Sequence, residues 1–252
     1  MYIEVRNYMK DTAWGFVFFI VLLTVASCNK KDEHSLGEFH IDIATVIPVG
    51  ERGYLLMLDN GKQLWPAATD VFYLPTENRR VFVNYTTLSD EQGGYDHYVK
   101  VNDIWDILTK KIIEQTPQNV DSIGDDPVTI NDAWVGNDYL NIDFMFNYGG
   151  VRPHSINLVI DSLHPDVTPD TLELEFRHNA YGSLSPRLYE GFVCFDLKPL
   201  QRTDTDSVQL TIKAKEGNGA KIFNVVYRYN QAALQGKIAE TPIPVVSSNE
   251  YY

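Results

Sequence analysis

Short stretches of alternating apolar and polar residues, separated by turn residues, run from residue 39 almost to the end of the chain. A period of two marks strands with one buried face. Tyr54-Leu55-Leu56-Met57-Leu58 and Lys62-Gln63-Leu64-Trp65 flank Asp59-Asn60-Gly61. Asn-Gly between apolar runs predicts a hairpin whose type I′ turn needs positive φ at both central residues. Pro66 has no N–H for a ladder and is expected to end the second strand. Val81-Phe82-Val83-Asn84-Tyr85-Thr86-Thr87 is β-branched and aromatic, which predicts the next strand, and Gly93-Gly94 the turn after it. Residues 98–114 fit two patterns. Val99, Val101, Trp105 and Ile107 alternate, with a break at Asp103, whereas Ile104, Leu108 and Ile112 make a helical stripe. We read a strand to about residue 108, then a short helix or turn.

Residues 115–128 hold Pro117, Gly124, Pro127, Asp121, Asp125 and Asp126 among few large apolar side chains, the composition of a linker. Beyond them the alternation is cleaner. Leu140, Ile142, Phe144, Phe146 and Tyr148 face one way; Ile156, Leu158 and Ile160 follow, then Leu172, Leu174 and Phe176, and three further runs at 192–197, 208–214 and 222–229. Six short strands with turns between them predict a two-sheet sandwich. The chain thus reads as all-β, with a first β domain at 39–115, a linker at 116–128 and a β-sandwich at 129–246. The two prolines after residue 241 mark a tail expected to fray.

Residues 13–25 break the pattern with thirteen mostly apolar side chains. As a helix they reach roughly 20 Å, short of the ~30 Å hydrocarbon core of a bilayer. With Arg6 and Lys10 ahead of them, beside Glu4 and Asp11, they fit the apolar region of a secretory signal. Val25-Ala26-Ser27-Cys28 resembles the lipobox of bacterial lipoproteins, in which small side chains admit the peptidase and the Cys28 thiol takes up a diacylglyceryl group. Residues 1–27 are therefore expected to be removed and 28–38 to form a lipidated tether, holding the protein on a membrane by acyl chains (palmitate among them) without spanning it. Lys31-Asp32-Glu33 resembles the short signal that sends some lipoproteins to the outer face of the outer membrane. Such charges also suit any tether, so the face of the membrane stays open.

The net charge of −13 is unchanged by removing residues 1–27, which carry two basic and two acidic residues. So acidic a body argues against nucleic-acid binding. With Cys28 lipidated, Cys194 is the remaining thiol and no intramolecular disulfide can form; within Phe192-Val193-Cys194-Phe195 it reads as a small buried side chain. No Gly-x-Ser-x-Gly, His-Glu-x-x-His, paired Cys-x-x-Cys or phosphate loop occurs, and no cofactor or metal is expected. The weak candidates for a surface site are His178 and Asn179, opening a polar loop, and Asp161 and His164, which with Asp166 and Asp170 surround Pro165 and Pro169 in a spacing that matches no EF-hand. Trp65, Trp105 and Trp134 serve either as core or as a platform for sugar rings or peptides. A carboxylate pair of glycosidase type is a property of the fold, not of one sequence.

Ile107-Leu108-Thr109-Lys110, Asp132-Ala133-Trp134, Asp138-Tyr139-Leu140-Asn141-Ile142, Arg177-His178-Asn179-Ala180-Tyr181-Gly182 and Gly191-Phe192-Val193-Cys194-Phe195-Asp196-Leu197 resemble, in order and approximate spacing, the NigD-like lipoproteins. The resemblance covers nearly the whole exported chain. It implies an N-terminal OB-like barrel followed by a C-terminal β-sandwich, and a family named from a bacteriocin locus, with an immunity or accessory role suspected there and no catalytic residues to carry over. The expectation is a membrane-anchored, non-catalytic protein that binds a protein or glycan outside the cytoplasm. The alternatives are bacteriocin immunity and a hydrolase with carboxylates on its loops.

Overall fold

The alternating runs become strands in a computed structural model of the chain, which describes residues 37–91, 93–160, 171–217 and 219–229. Cys28, Asp161, His164 and the tail after residue 229 lie outside the described residues. Strands β1 (His40–Val49), β2 (Gly53–Leu58), β3 (Gln63–Thr69), β4 (Arg80–Ser89) and β5 (His97–Asp106) close into a barrel in the order β1-β2-β3-β5-β4. Closure depends on the ten-residue β1, whose residues 44–49 pair with β2 while residues 40–45 pair with β4. The narrow interior is filled by small and branched side chains, among them Ala44, Val46, Leu56, Leu64, Val81, Val83, Val99 and Val101, as a five-stranded barrel requires.

The predicted hairpin is present, with different turn chemistry. Leu58 N–H donates to the Lys62 carbonyl and Gly61 N–H to the Leu58 carbonyl, and positive φ occurs at Gly61 (82°) but not at Asn60. A three-residue loop with a single left-handed glycine replaces the type I′ turn. Asn60 instead accepts the Lys62 N–H through its side chain at 3.0 Å. Nor does Pro66 end β3. The strand runs on to Thr69 beside parallel β5, and a bulge between Pro66 and Ala68 absorbs the missing donor.

The second body consists of two sheets. One has the order β14-β13-β11-β10-β7, from β14 (Gly219–Arg228), β13 (Ser207–Glu216), β11 (Thr171–Asn179), β10 (Ser155–Ile160) and β7 (Ile113–Glu114); the other has the order β6-β12-β9-β8, from β6 (Leu108–Lys111), β12 (Leu188–Asp196), β9 (Tyr139–Asn147) and β8 (Thr129–Gly136). Leu140, Ile142, Phe144, Phe146, Ile156, Leu158, Leu174, Phe176, Val193, Phe195, Leu210 and Ile212 form the core between them. All six strands read from the sequence are there.

The segment 98–114 holds no helix. β5 ends at Asp106, and β6 and β7 then leave the barrel, β6 lying parallel to β12 and β7 parallel to β10. The sandwich therefore takes up the chain at Leu108, ahead of the expected linker. Residues 116–128 do not separate the bodies: Val120–Ile123 form a single helical turn, α1, with Ile123 buried, and Asp126 N–H donates to the His178 carbonyl. Prolines and aspartates there shape a loop packed on β11, which composition alone does not distinguish from a free linker.

Barrel and sandwich meet through residues on the outer faces of their sheets. Ile43, Phe82, Ile107, Tyr139, Phe192 and Cys194 form a buried cluster against which Trp105 and Trp134 pack. Within this junction the fully buried Arg80 guanidinium reaches Thr45 Oγ1 (2.9 Å), Asp59 Oδ2 (2.8 Å) and Asn141 Oδ1 (3.1 Å), and Asn141 Nδ2 donates to Asp59 Oδ2 at 2.8 Å. Gly136 leaves the space that Asp59 needs, since a Cβ there would lie 2.0 Å from Asp59 Oδ2.

Candidate functional site

His178 lies on β11 rather than after it, and at 1% exposure it is not a surface residue. Register explains this. Ile156 is opposite His178 across the β10–β11 ladder, which brings His154, at the mouth of β10 and fully buried, next to it. The two rings are 5.0 Å apart between centroids and join edge to edge, His154 Nδ1 to His178 Nε2 at 2.9 Å. His154 Nε2 meets the Ser183 carbonyl at 2.9 Å and His178 Nδ1 the Pro127 carbonyl at 3.1 Å. Phe146 and Tyr148 pack around His154. Burial pushes His178 down to about 4 and lowers His154 too, against the weaker pull of the Pro127 and Ser183 carbonyls and of the Asp126 carboxylate.

Asn179 is also engaged: its Nδ2 donates to the Ser122 carbonyl at 2.9 Å and its Oδ1 accepts the Tyr181 N–H at 2.9 Å. Gly124, with φ of 78°, passes so close that a Cβ would lie 2.4 Å from that of Asn179. Of the expected surface site, His178 is therefore interior structure and Asn179 a half-buried residue whose amide is engaged by backbone, and neither ring nitrogen of His178 is open to a substrate. Cys194 is buried as expected. Its Sγ donates to Asn141 Oδ1 at 3.1 Å, and burial raises its thiol to about 11, too high for a nucleophile at neutral pH.

The fold also creates a carboxylate pair that strand periodicity leaves as two unrelated polar positions. Asp143 on β9 and Glu190 on β12 come together on the outer face of the four-stranded sheet. Burial first, then the Glu190 charge, raise the Asp143 carboxyl to about 6, while Asn131 donates to its Oδ1 at 3.2 Å. An Asp143 carboxyl raised this far could serve an acid–base step. Among the described residues no group of three or more His, Cys, Asp or Glu side chains could hold a metal ion.

The tryptophans divide between the two roles. Trp105 and Trp134 belong to the junction. Trp65 points outward from β3, paired across the ladder with Tyr98 on β5. Tyr95 stacks on Trp65 at 5.0 Å and stands edge-on to Tyr98 at 6.2 Å. All three rings are half-exposed, and Asp96 fixes their loop by accepting the Gln63 N–H at 2.7 Å. Val151, Leu184 and Leu188 are exposed on the sandwich.

A family model for the NigD-like N-terminal OB domain matches residues 43–107, and one for the NigD-like C-terminal beta sandwich domain matches residues 111–227. The chain belongs to the NigD-like family. The gap between the two NigD-like matches falls where β5 gives way to β6. Among solved structures, the chain is similar to a protein from Parabacteroides distasonis ATCC 8503 provisionally described as toxin-related, with 40% identity over 77% of this chain and 95% of that one and a TM-score of 0.68. A protein of unknown function from Bacteroides vulgatus ATCC 8482 has 29% identity over 82% and 98% of the two chains, with a TM-score of 0.70. A NigD-like immunity protein from Bacteroides caccae ATCC 43185, at 20% identity over 75% and 93% and a TM-score of 0.60, shares the fold. No curated protein matches the chain.

Proposed function

We propose that this NigD-like protein is a lipid-anchored binding protein of the outer membrane that acts without catalysis. The carrying observation is where its chemistry lies. His154, His178, the Cys194 thiol and the buried Arg80–Asp59 pair are consumed inside the fold, whereas the rings of Trp65, Tyr95 and Tyr98 stand outward on the barrel. Aromatic faces beside carboxylates suit an extracytoplasmic glycan or peptide, and the acidic body argues against nucleic acid. Cys28 supplies the anchor. The signal, the lipidation and the membrane assignment rest on the sequence of residues 1–38.

Cross-linking on intact cells tests the binding role. Wild-type protein is expected to capture a protein or glycan that the Trp65→Ala/Tyr95→Ala variant loses. Equal capture by both would remove the barrel face from the proposal, and turnover of a glycan or peptide by the purified protein would refute the absence of catalysis. Protease shaving, with Cys28→Ala as the unanchored control, separates the two faces of the membrane: cleavage on intact cells means surface display, and cleavage only after the outer membrane is opened means a periplasmic role.

The toxin-related description of the 40%-identical P. distasonis protein and the immunity description of the B. caccae protein favour one second reading, protection against a toxin. Deleting the gene should then sensitise cells to a neighbour's bacteriocin. Unchanged sensitivity would dispose of it.

A further inference from the structure

The buried histidines form a chain of contacts with a carbonyl at each end: Ser183 O, His154 Nε2, His154 Nδ1, His178 Nε2, His178 Nδ1 and Pro127 O, at 2.9, 2.9 and 3.1 Å. Carbonyl oxygens only accept. The outer nitrogens, Nε2 of His154 and Nδ1 of His178, must therefore both carry protons to make hydrogen bonds. A neutral imidazole has one N–H. Two neutral rings would thus leave His154 Nδ1 and His178 Nε2 as bare lone pairs facing each other at 2.9 Å. A third proton turns that repulsion into a hydrogen bond and satisfies all three contacts.

We infer that His154 and His178 together hold one extra proton, shared between His154 Nδ1 and His178 Nε2, and that this singly charged pair is a proton-sensitive clasp for the loops at its end of the sandwich. The clasp acts through Ser183. Its carbonyl also accepts the Gly149 N–H at 2.7 Å, and its Oγ accepts the N–H groups of Val151 and Arg152 at 3.3 and 3.4 Å. The pair thereby ties the loop leading into β10 to the loop between β11 and β12, while His178 ties β11 to the segment before β8 through Pro127. Exposed Val151 and Leu184 lie on the two loops so joined.

The groups facing the pair are consistent with one charge. Asp126, from the segment before β8, is the carboxylate that favours protonation of both rings, and its Oδ2 is fixed by the Ala180 N–H at 2.7 Å. β9 and the loop after it contribute Phe146 and Tyr148, and β12 contributes Tyr189 against both. The arginines of this end have other partners: Arg152 lies over the Tyr181 ring, Arg187 over the Tyr189 ring, and Arg177 donates to the Gly124 carbonyl and Glu175. A second proton would set two N–H groups against each other. Burial lowers both rings and the neighbouring ring adds to the depression of His178 to about 4; that depression belongs to the second step, because coupled sites titrate as a pair, and it is the 2.9 Å contact between His154 Nδ1 and His178 Nε2 that holds the first proton against burial.

The pH dependence follows. Below the free-imidazole value of about 6.5 the unfolded chain binds two protons at these residues and the folded chain one, so stability rises with pH from about 4 to 6.5. Above it the unfolded chain binds none and the folded chain still one, so stability falls as pH rises until the shared proton leaves. The folding constant should drop by up to about tenfold per pH unit on that limb.

Nitrogen-15 NMR of the histidine side chains in the full chain at pH 7 tests the inference. The expected spectrum has protons on His154 Nε2 and His178 Nδ1, and a strongly deshielded proton coupled to both His154 Nδ1 and His178 Nε2. Two neutral rings, with either outer nitrogen bare, would overturn it. His154→Gln is expected to abolish the alkaline limb in pH-dependent unfolding while His178 titrates alone; an alkaline limb that survives the substitution would also overturn it. Should that variant fail to fold, the wild-type spectrum still decides.

Discussion

Single residues in this protein often hold an environment that their sequence neighbours do not announce. Asp143 occupies an outward position of β9, where periodicity predicts a solvated carboxylate, yet burial and Glu190 raise it to about 6. A carboxyl whose folded value lies above its unfolded one costs stability as pH rises between the two, here from about 4 to about 6. Asp143→Asn should therefore stabilise the protein at pH 8, by roughly 1 kcal/mol once solvent screening of this half-exposed group is allowed for, and leave it unchanged at pH 4. Thermal melts at both pH values check this, and equal gains at both would refute it. His178 shows the same limit of sequence. Its residue type drew attention, but its partner stands 24 positions away, and only the β10–β11 register brings the two together. Trp65 was legible as an aromatic strand residue, whereas its exposure depended on which face of β3 closes the barrel.

At the scale of elements, what was legible is what periodicity encodes locally. The hairpin at residue 60 and the strands β9 to β14 of the sandwich follow from alternation and turn residues. β6 and β7, four and two residues long, are too short to show a period, and they exist because β12 and β10 offer parallel edges. The barrel strands accordingly end at Asp106 and those of the sandwich begin at Leu108, ahead of the Pro- and Asp-rich residues 116–128. β8 was hidden by the irregularity between Ile130 and Asp132. Two lysines then bridge the sheets at opposite margins of the sandwich. Lys110 on β6 donates to the Ile156 carbonyl at 2.7 Å and to Asn157 Oδ1 at 2.8 Å, and Lys221 on β14 donates to the Ile130 carbonyl at 2.6 Å. Each charge offers an edge strand a partner from the facing sheet, and edge lysines also discourage pairing with other chains. Lys221→Met keeps the stem and removes the donor. It should cost about 1.5–3 kcal/mol, as expected for a hydrogen bond to a charged group, with faster amide exchange along β14 and β8. Loss of stability without faster exchange at these two strands would argue against the bridging role.

For the whole molecule, the question is whether barrel and sandwich unfold as one. Barrel and sandwich belong to a single compact unit, and the junction that unites them is polar at its centre: Arg80 and Asp59 come from the barrel, Asn141 and Cys194 from the sandwich, and Asn141 bonds to both ionic partners. A buried ion pair contributes little net stability compared with apolar residues of the same volume, but removing one partner strands the other charge. Arg80→Met should therefore cost about 3–5 kcal/mol, because Asp59, only 7% exposed, would be left without its cation. Arg80→Met combined with Asp59→Leu should recover most of that loss. The two variants separate stability from specificity. If the pair's role is to fix how the bodies dock, the double variant will melt near the wild-type temperature yet lose the single transition, with barrel and sandwich probes reporting different midpoints in urea. If the apolar cluster of Phe82, Tyr139 and Phe192 suffices to hold the bodies together, the midpoints will stay coincident, and the ionic network is then only the means by which a buried arginine is tolerated.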